Sequence, residues 1–307
     1  MKGRCRVFKV GALHHIYQRT VEGFLIFYSI KDFLVFFTLF STVARRYDIK
    51  VLGLCLMYDH IHTLAVAESC VTMSSFVREY TGRFSRQRNK HYGNKGQFFV
   101  HRFGSAPKTG DKKARTAISY LYNNPVEKKI CPRAEQFQWS FLSYAHNRHP
   151  FSPPLKLNSA SNRLRKAAAE INIQRKSDKP LSYEFIERIS NGLTKAETMQ
   201  LTDYIITQYN CVDYGALESY YDDYQTMLTA INSNTGSEYQ IKEEVTPGSD
   251  TVFKKMSYVL RKMCGYKDMT QVLSLSGSDK MRLAWILAAE TGASHYQISK
   301  FLHIHRK

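Results

Sequence analysis

The sequence predicts an α+β domain followed by a mainly helical one. β-prone runs alternate with amphipathic helical patterns up to about residue 145, whereas only helical patterns follow residue 161. Between them lies a Pro-, Ser- and Asn-rich stretch holding Pro150, Pro153 and Pro154. Charge divides the chain in the same place. Lys+Arg 44 against Asp+Glu 26 gives +18, and residues 1–150 hold 24 of the basic side chains but only 9 of the acidic ones. The expected division is 1–150, a linker at 151–161, and 162–307.

The elements follow in order. Val10 to Thr20 reads as a strand with Leu13, His15, Tyr17 and Arg19 on one face and His14, Ile16 and Gln18 on the other. Ser29-x-x-Asp32 is a capping box, and the helix it opens runs to about Tyr47 with Phe33, Phe36, Phe37, Phe40, Val43 and Ala44 as its buried stripe. Lys50 to Met57 and Leu64 to Ala67 flank Tyr58-Asp59-His60-Ile61-His62-Thr63, which predicts two strands kinked or joined at Tyr58-Asp59. Side chains alternate along a strand, so His60 and His62 share a face. Thr72 is the expected cap of a helix from Met73 to Lys90, with Phe76, Tyr80 and Phe84 inward and several arginines outward. Residues 91–113 read as a long Gly-, Lys- and aromatic-rich loop. Asp111 is expected to cap a helix from Lys112 to about Asn123, ended by Pro125. Tyr120 and Asn124, four apart, share its face if the last turn is kept. Gln136 to Phe141 reads as a final packing segment.

Beyond the linker, helices are expected at 163–176, 183–191, after the capping box Thr194-x-x-Glu197, and at 214–232, 252–264 and 278–290. The last helix, after Thr291-Gly292, would point Gln297 and Lys300 outward, as in a helix-turn-helix or a plain helical hairpin. The most apolar window, Phe24 to Phe40, carries Lys31 and Asp32 and is too short to span a bilayer. Six cysteines without a Cys-x-x-Cys argue against a zinc knuckle or a disulfide framework. With no N-terminal signal apparent, a cytoplasmic location is expected, and the basic surplus implies a polyanionic partner, nucleic acid before membrane.

One group of residues carries chemistry. Two imidazoles on one strand face are a ready pair of metal ligands, although a lone His-x-His also arises from ordinary packing. Asn124 offers an oxygen as the third donor. Such a set suits Mg²⁺ or Mn²⁺ held loosely, with positions left for a phosphate oxygen. A phosphodiester bound there is open to attack by the Tyr120 hydroxyl.

His60-Ile61-His62, Tyr120-Leu121-Tyr122-Asn123-Asn124-Pro125-Val126 and Phe137-Gln138-Trp139-Ser140, in that order, resemble the HUH single-tyrosine transposases, in particular those associated with repetitive extragenic palindromes. His15 to Thr20 resembles that family's first strand. The resemblance covers about residues 8–145. It implies a ferredoxin-like antiparallel sheet with helices, with His60 and His62 as metal ligands, Tyr120 as nucleophile and Asn124 as third ligand, where related transposases often carry glutamine. Tyr122 lies about 200° around the helix from Tyr120, so only one tyrosine can face the histidines. The implied activity is metal-dependent single-strand DNA nicking and strand transfer through a 5′-phosphotyrosine. The substrate would be single-stranded DNA with hairpins, held by Arg78, Arg83, Arg86, Lys112 and Lys113; the resemblance leaves a monomer or a homodimer open. Two other readings stand beside it: a non-catalytic nucleic-acid-binding regulator with the same fold, and a two-histidine phosphoesterase.

Overall fold

The computed structural model describes residues 7–100, 102–233, 250–266 and 268–304. Its first half is built as β1 (Leu13–Arg19), α1 (Ile30–Arg46), β2 (Lys50–Leu56), β3 (His60–Val66), α2 (Cys70–Tyr92), β4 (Gly104–Lys108) and α3 (Asp111–Glu127). The sheet order is β2-β3-β1-β4, with each adjacent pair antiparallel. This βαββαβ order with the first and third strands central is the ferredoxin-like arrangement expected above.

Local chemistry explains most of these elements. Ser29 and Asp32 form the reciprocal capping box that starts α1. Between β2 and β3 the chain reverses at Met57–Asp59, where Met57 N–H donates to the His60 carbonyl at 3.0 Å. The cap of α2 is Ser69 and not Thr72: the Ser69 side chain accepts from Thr72 N–H, so the helix begins a turn earlier than expected. Gly93, with φ +66°, then ends α2.

Three further expectations are corrected. The 91–113 segment is not all loop, because it contains β4, whose register pairs Tyr17 with Gly104. Its sequence, Gly-Ser-Ala-Pro-Lys, has no apolar alternation, so pairing with β1 supplies what propensity does not. Gly104 is required there, since a Cβ would lie 1.8 Å from the Tyr17 ring. Likewise, Pro125 does not end α3, which continues to Glu127. Lys128 N–H still donates to the Asn124 carbonyl at 3.0 Å, so Tyr120 and Asn124 stay one turn apart in regular helix. Gly110 holds the cap position assigned to Asp111, which is instead the first helical residue.

The sheet has two covered faces. The Ile16–Ser105 pair lies against α2, where Ser105 Oγ meets Met73 Sδ at 3.8 Å. On that layer α1 and α2 interlock through Phe36–Phe84, Phe40–Phe76 and Phe40–Tyr80 ring contacts. Across the sheet, α3 covers the face that bears His15 and His62. Trp139 then stacks on Phe33 at 4.2 Å between centroids, tying the segment after α3 to the start of α1.

Among the described residues, eight more α-helices follow: α4 (Asn162–Lys176), α5 (Tyr183–Ser190), α6 (Lys195–Tyr209), α7 (Tyr214–Glu218), α8 (Tyr224–Asn232), α9 (Thr251–Met263), α10 (Gly277–Thr291) and α11 (His295–Leu302). Buried residues of α4–α8, such as Leu164, Ile171, Ile205 and Ile231, belong to the same apolar core as the sheet half. A second core gathers Phe253, Met256, Leu260, Leu287, Ile298 and Phe301 around Leu25. The 151–161 stretch is pinned at its start, where Phe151 N–H and Ser152 Oγ donate to Asp203 Oδ2 at 3.1 and 2.8 Å. Among the described residues no helix is long and apolar enough to cross a membrane.

Candidate active site

Strand alternation and the antiparallel register put three histidines on the α3 side of the sheet. Tyr17 pairs with His62 and His15 with Leu64, so His15, Tyr17 and His62 share one surface. His60 stands two residues before His62, its ring 4.8 Å from that of His62 and perpendicular to it. His15 and His62 share a hydrogen bond, Nε2 to Nδ1, at 2.9 Å. His60 Nδ1 donates to Asp59 Oδ1 at 2.6 Å, which leaves Nε2 as the donor a cation would take.

Tyr120 comes to this cluster from α3. Its ring is edge-on to both His15 and His62, with centroids 5.6 Å from each. Asn124, one turn on, donates its amide Nδ2 to the Tyr120 carbonyl at 3.0 Å, which leaves its oxygen as the acceptor end. Tyr122 points elsewhere: fully buried, it donates its hydroxyl to the Leu52 carbonyl of β2 at 3.3 Å. Helix α3 thus sets Tyr120 against His15 and His62, with Asn124 one turn further along the helix, while Tyr122 lies over β2 on the same side of the sheet.

Burial sets the charge states. His15 is pushed down to about 3, first by burial and then by the charges of Lys108 and His60. His62 is held well below its usual range for the same first reason, with His60, His15 and Arg19 adding to it. Both imidazoles are therefore neutral at pH 7, as a metal ligand must be. Burial alone would raise Asp59, but the charges and hydrogen bonds of His60 and then Lys300 outweigh it and hold the carboxyl well below the usual range.

Asp59 is thus the hinge of a relay. One oxygen takes His60 and the other accepts from Lys300 Nζ of α11 at 2.5 Å. Lys300 passes over Gly23, where a Cβ would lie 3.0 Å from its Cε, and that glycine has φ +70°. Lys300 is 7% exposed. This corrects the expectation that it points outward, and Gln297 is taken up in the capping box of α11 with Ser294.

A divalent cation of the Mg²⁺ or Mn²⁺ class suits the chemistry of this donor set by three marks: a carboxylate-oriented histidine, a neutral second imidazole and an amide oxygen one helical turn from Tyr120 on α3. Among the described residues no group of three or more His, Cys, Asp or Glu is arranged to hold a metal. The set has to count Asn124, an amide.

The basic residues fall in three places. Arg78 and Arg86 are exposed on α2, while Arg83 is paired with Glu79 at 3.2 Å. Lys112 and Lys113 are exposed at the start of α3. Lys108, at the end of β4, was not singled out in the sequence. It is half-buried and lowered first by burial and then by Lys113, and its charge reaches His15.

Residues 26–124 match the family model described as "Transposase IS200 like". This stretch resembles the IS200-like transposases. It contains Asp59, His60, His62, Tyr120 and Asn124, and leaves out His15 and Lys300. A solved structure of a REP-associated tyrosine transposase bound to a REP hairpin is also similar, at 17% identity and a TM-score of 0.41, over 47% of this chain and 85% of that one. No curated protein matches significantly. The transposase-like stretch therefore holds most of the site, while β1 and α11 bring His15 and Lys300 to it from outside. Sequence reasoning left out His15, Asp59 and Lys300 as site residues. The Asp59-His60 adjacency was the one local signal available for Asp59; nothing local pointed to Lys300.

Proposed function

We propose that this protein is a metal-dependent single-strand DNA endonuclease and strand-transferase of the transposase type, with Tyr120 as its nucleophile. The carrying observation is the placement of the Tyr120 ring against two neutral imidazoles, with Asn124 one turn away and His60 oriented by Asp59. In this reading Tyr120 Oη attacks the phosphorus of a phosphodiester, and the bond to the 3′ oxygen breaks. A 5′-phosphotyrosine and a free 3′-hydroxyl result, the tyrosine proton being balanced by the one gained on that hydroxyl. The covalent link conserves the broken bond's energy, so rejoining to another 3′-hydroxyl needs no nucleotide triphosphate. A cation held by His60, His62 and Asn124 would withdraw charge from the phosphate as that bond breaks. A free tyrosine ionises near pH 10, so positioning by α3 is the chain's own contribution.

The DNA would be single-stranded with hairpins, as the hairpin-bound relative suggests, and would lie along Arg78, Arg86, Lys112 and Lys113, with Arg83 available once freed from Glu79. A reducing cytoplasm suits the described cysteines, which are unpaired.

The test is a denaturing gel after incubation of a 3′-labelled hairpin oligonucleotide with protein and Mn²⁺. Wild type and Tyr122→Phe should carry label; Tyr120→Phe should not. An adduct that survives in Tyr120→Phe and is lost in Tyr122→Phe would invert the assignment. No adduct with any hairpin substrate would favour the non-catalytic regulator.

A further inference from the structure

Helix α9 lies outside the transposase-like stretch, yet it frames a cleft of about 310 Å³ beside the candidate site. One wall is aromatic, built from Tyr28, Tyr58 and Phe253, with the Tyr58 and Phe253 centroids 6.3 Å apart. The other wall is cationic and polar, with exposed Lys254 and Arg261 flanking Tyr258, which is 61% exposed. Tyr58 directly precedes Asp59, so the cleft begins one residue from the carboxylate that orients His60.

The helix is built for this surface. Val252, Phe253, Met256, Val259 and Leu260 are buried, while Lys254, Lys255, Tyr258, Arg261 and Lys262 lie on the open side. No acidic residue occurs from 251 to 266. Lys262 Nζ rests 5.5 Å over the Tyr258 ring, so that side presents cations and an aromatic face together. A basic track with an open aromatic ring matches a single strand, in which phosphates and unstacked bases are both accessible. The cleft is at the low end of ligand-pocket sizes, roughly 300–1,000 Å³, enough for one nucleotide.

We propose that this cleft and the open face of α9 hold the unpaired DNA next to the scissile phosphate, with one base entering against Tyr58 and Tyr258 and phosphates resting on Lys254 and Arg261. The proposal builds on the nuclease reading and assigns α9 the flanking strand. The test uses the full chain and two fluorescein-labelled oligonucleotides, a hairpin with an unpaired tail and the same hairpin without it, with anisotropy followed across salt. For Lys254→Ala/Arg261→Ala, affinity for the tailed hairpin should fall, and its log–log salt slope should flatten by about 1.4, two contacts at ~0.7 each. Binding of the tailless hairpin should not change. Tyr258→Ala should weaken tail binding roughly fivefold or more, with Tyr258→Phe close to wild type. An unchanged slope for the tailed hairpin would overturn the proposal while leaving the nuclease reading to the Tyr120 adduct. Wild type binding neither oligonucleotide would overturn both. Displacement of the tail by polyglutamate as readily as by unlabelled oligonucleotide would overturn the choice of single-stranded DNA.

Discussion

Replacing Lys300 with methionine should destabilise the protein and loosen the site through Asp59. The Lys300–Asp59 pair is short at 2.5 Å, and its side chains are only 9% and 12% exposed. Removing one partner of such a pair leaves a buried charge, which costs about 3–5 kcal/mol. Asp59 keeps His60 as a partner and methionine fills most of the lysine's volume, so the low end, about 3 kcal/mol, is expected. For a chain of 307 residues, at about 2.1 cal/mol/K of unfolding entropy per residue, that lowers Tm by roughly 5 °C. The discriminating measurement is a double-mutant cycle with Asp59→Asn by urea unfolding. Neutralising Asp59 first removes the reason for Lys300 to be buried, so the two changes should couple by about 1.5 kcal/mol or more. A coupling below ~0.5 kcal/mol, the range of exposed pairs, would refute the view that α11 is tied to the site through this contact. The magnitude also has a functional side, because α11 would then support the orientation of His60 from more than two hundred residues away in sequence.

Other expectations follow from the same geometry. Asp59→Ala should weaken Mn²⁺ binding by about 10–100-fold, read by calorimetry, because His60 loses the group that orients its ring; unchanged affinity would separate Asp59 from the metal. Asp32→Ala should cost more than about 4 kcal/mol, or prevent folding, because the tyrosine hydroxyls of Tyr92 and Tyr183 and the backbone N–H groups of Tyr28 and Ser29 all donate to its carboxylate; a loss under 1 kcal/mol by denaturant titration would contradict that network. Lys112→Ala/Lys113→Ala should flatten the salt dependence of single-strand binding by about 1.4 if both touch phosphate, and an unchanged slope would leave them as solvated side chains. A protease site inserted at 155–158 and cut should leave 162–231 attached under native conditions, since α4–α8 share the sheet's core; gel filtration that separates the pieces would show an independent helical domain instead.

Local rules carried much of the fold. The Ser29/Asp32 and Thr194/Glu197 capping boxes were legible because both partners lie within one turn. The shared face of His60 and His62 followed from strand alternation, and the one-turn spacing of Tyr120 and Asn124 from helical geometry. Strand β4 was not legible, because its residues carry no β pattern and only pairing with β1 makes them a strand. Nor was the continuation of α3 through Pro125, where tertiary packing outweighs the local preference before proline. The site divides the same way. Periodicity alone can place residues on a face, as it did for the two histidines and the tyrosine. It says nothing of which distant side chain a buried carboxylate will meet. His15 reaches His62 through strand register, and Lys300 reaches Asp59 because a carboxylate withdrawn from water binds a cation wherever the folded chain supplies one.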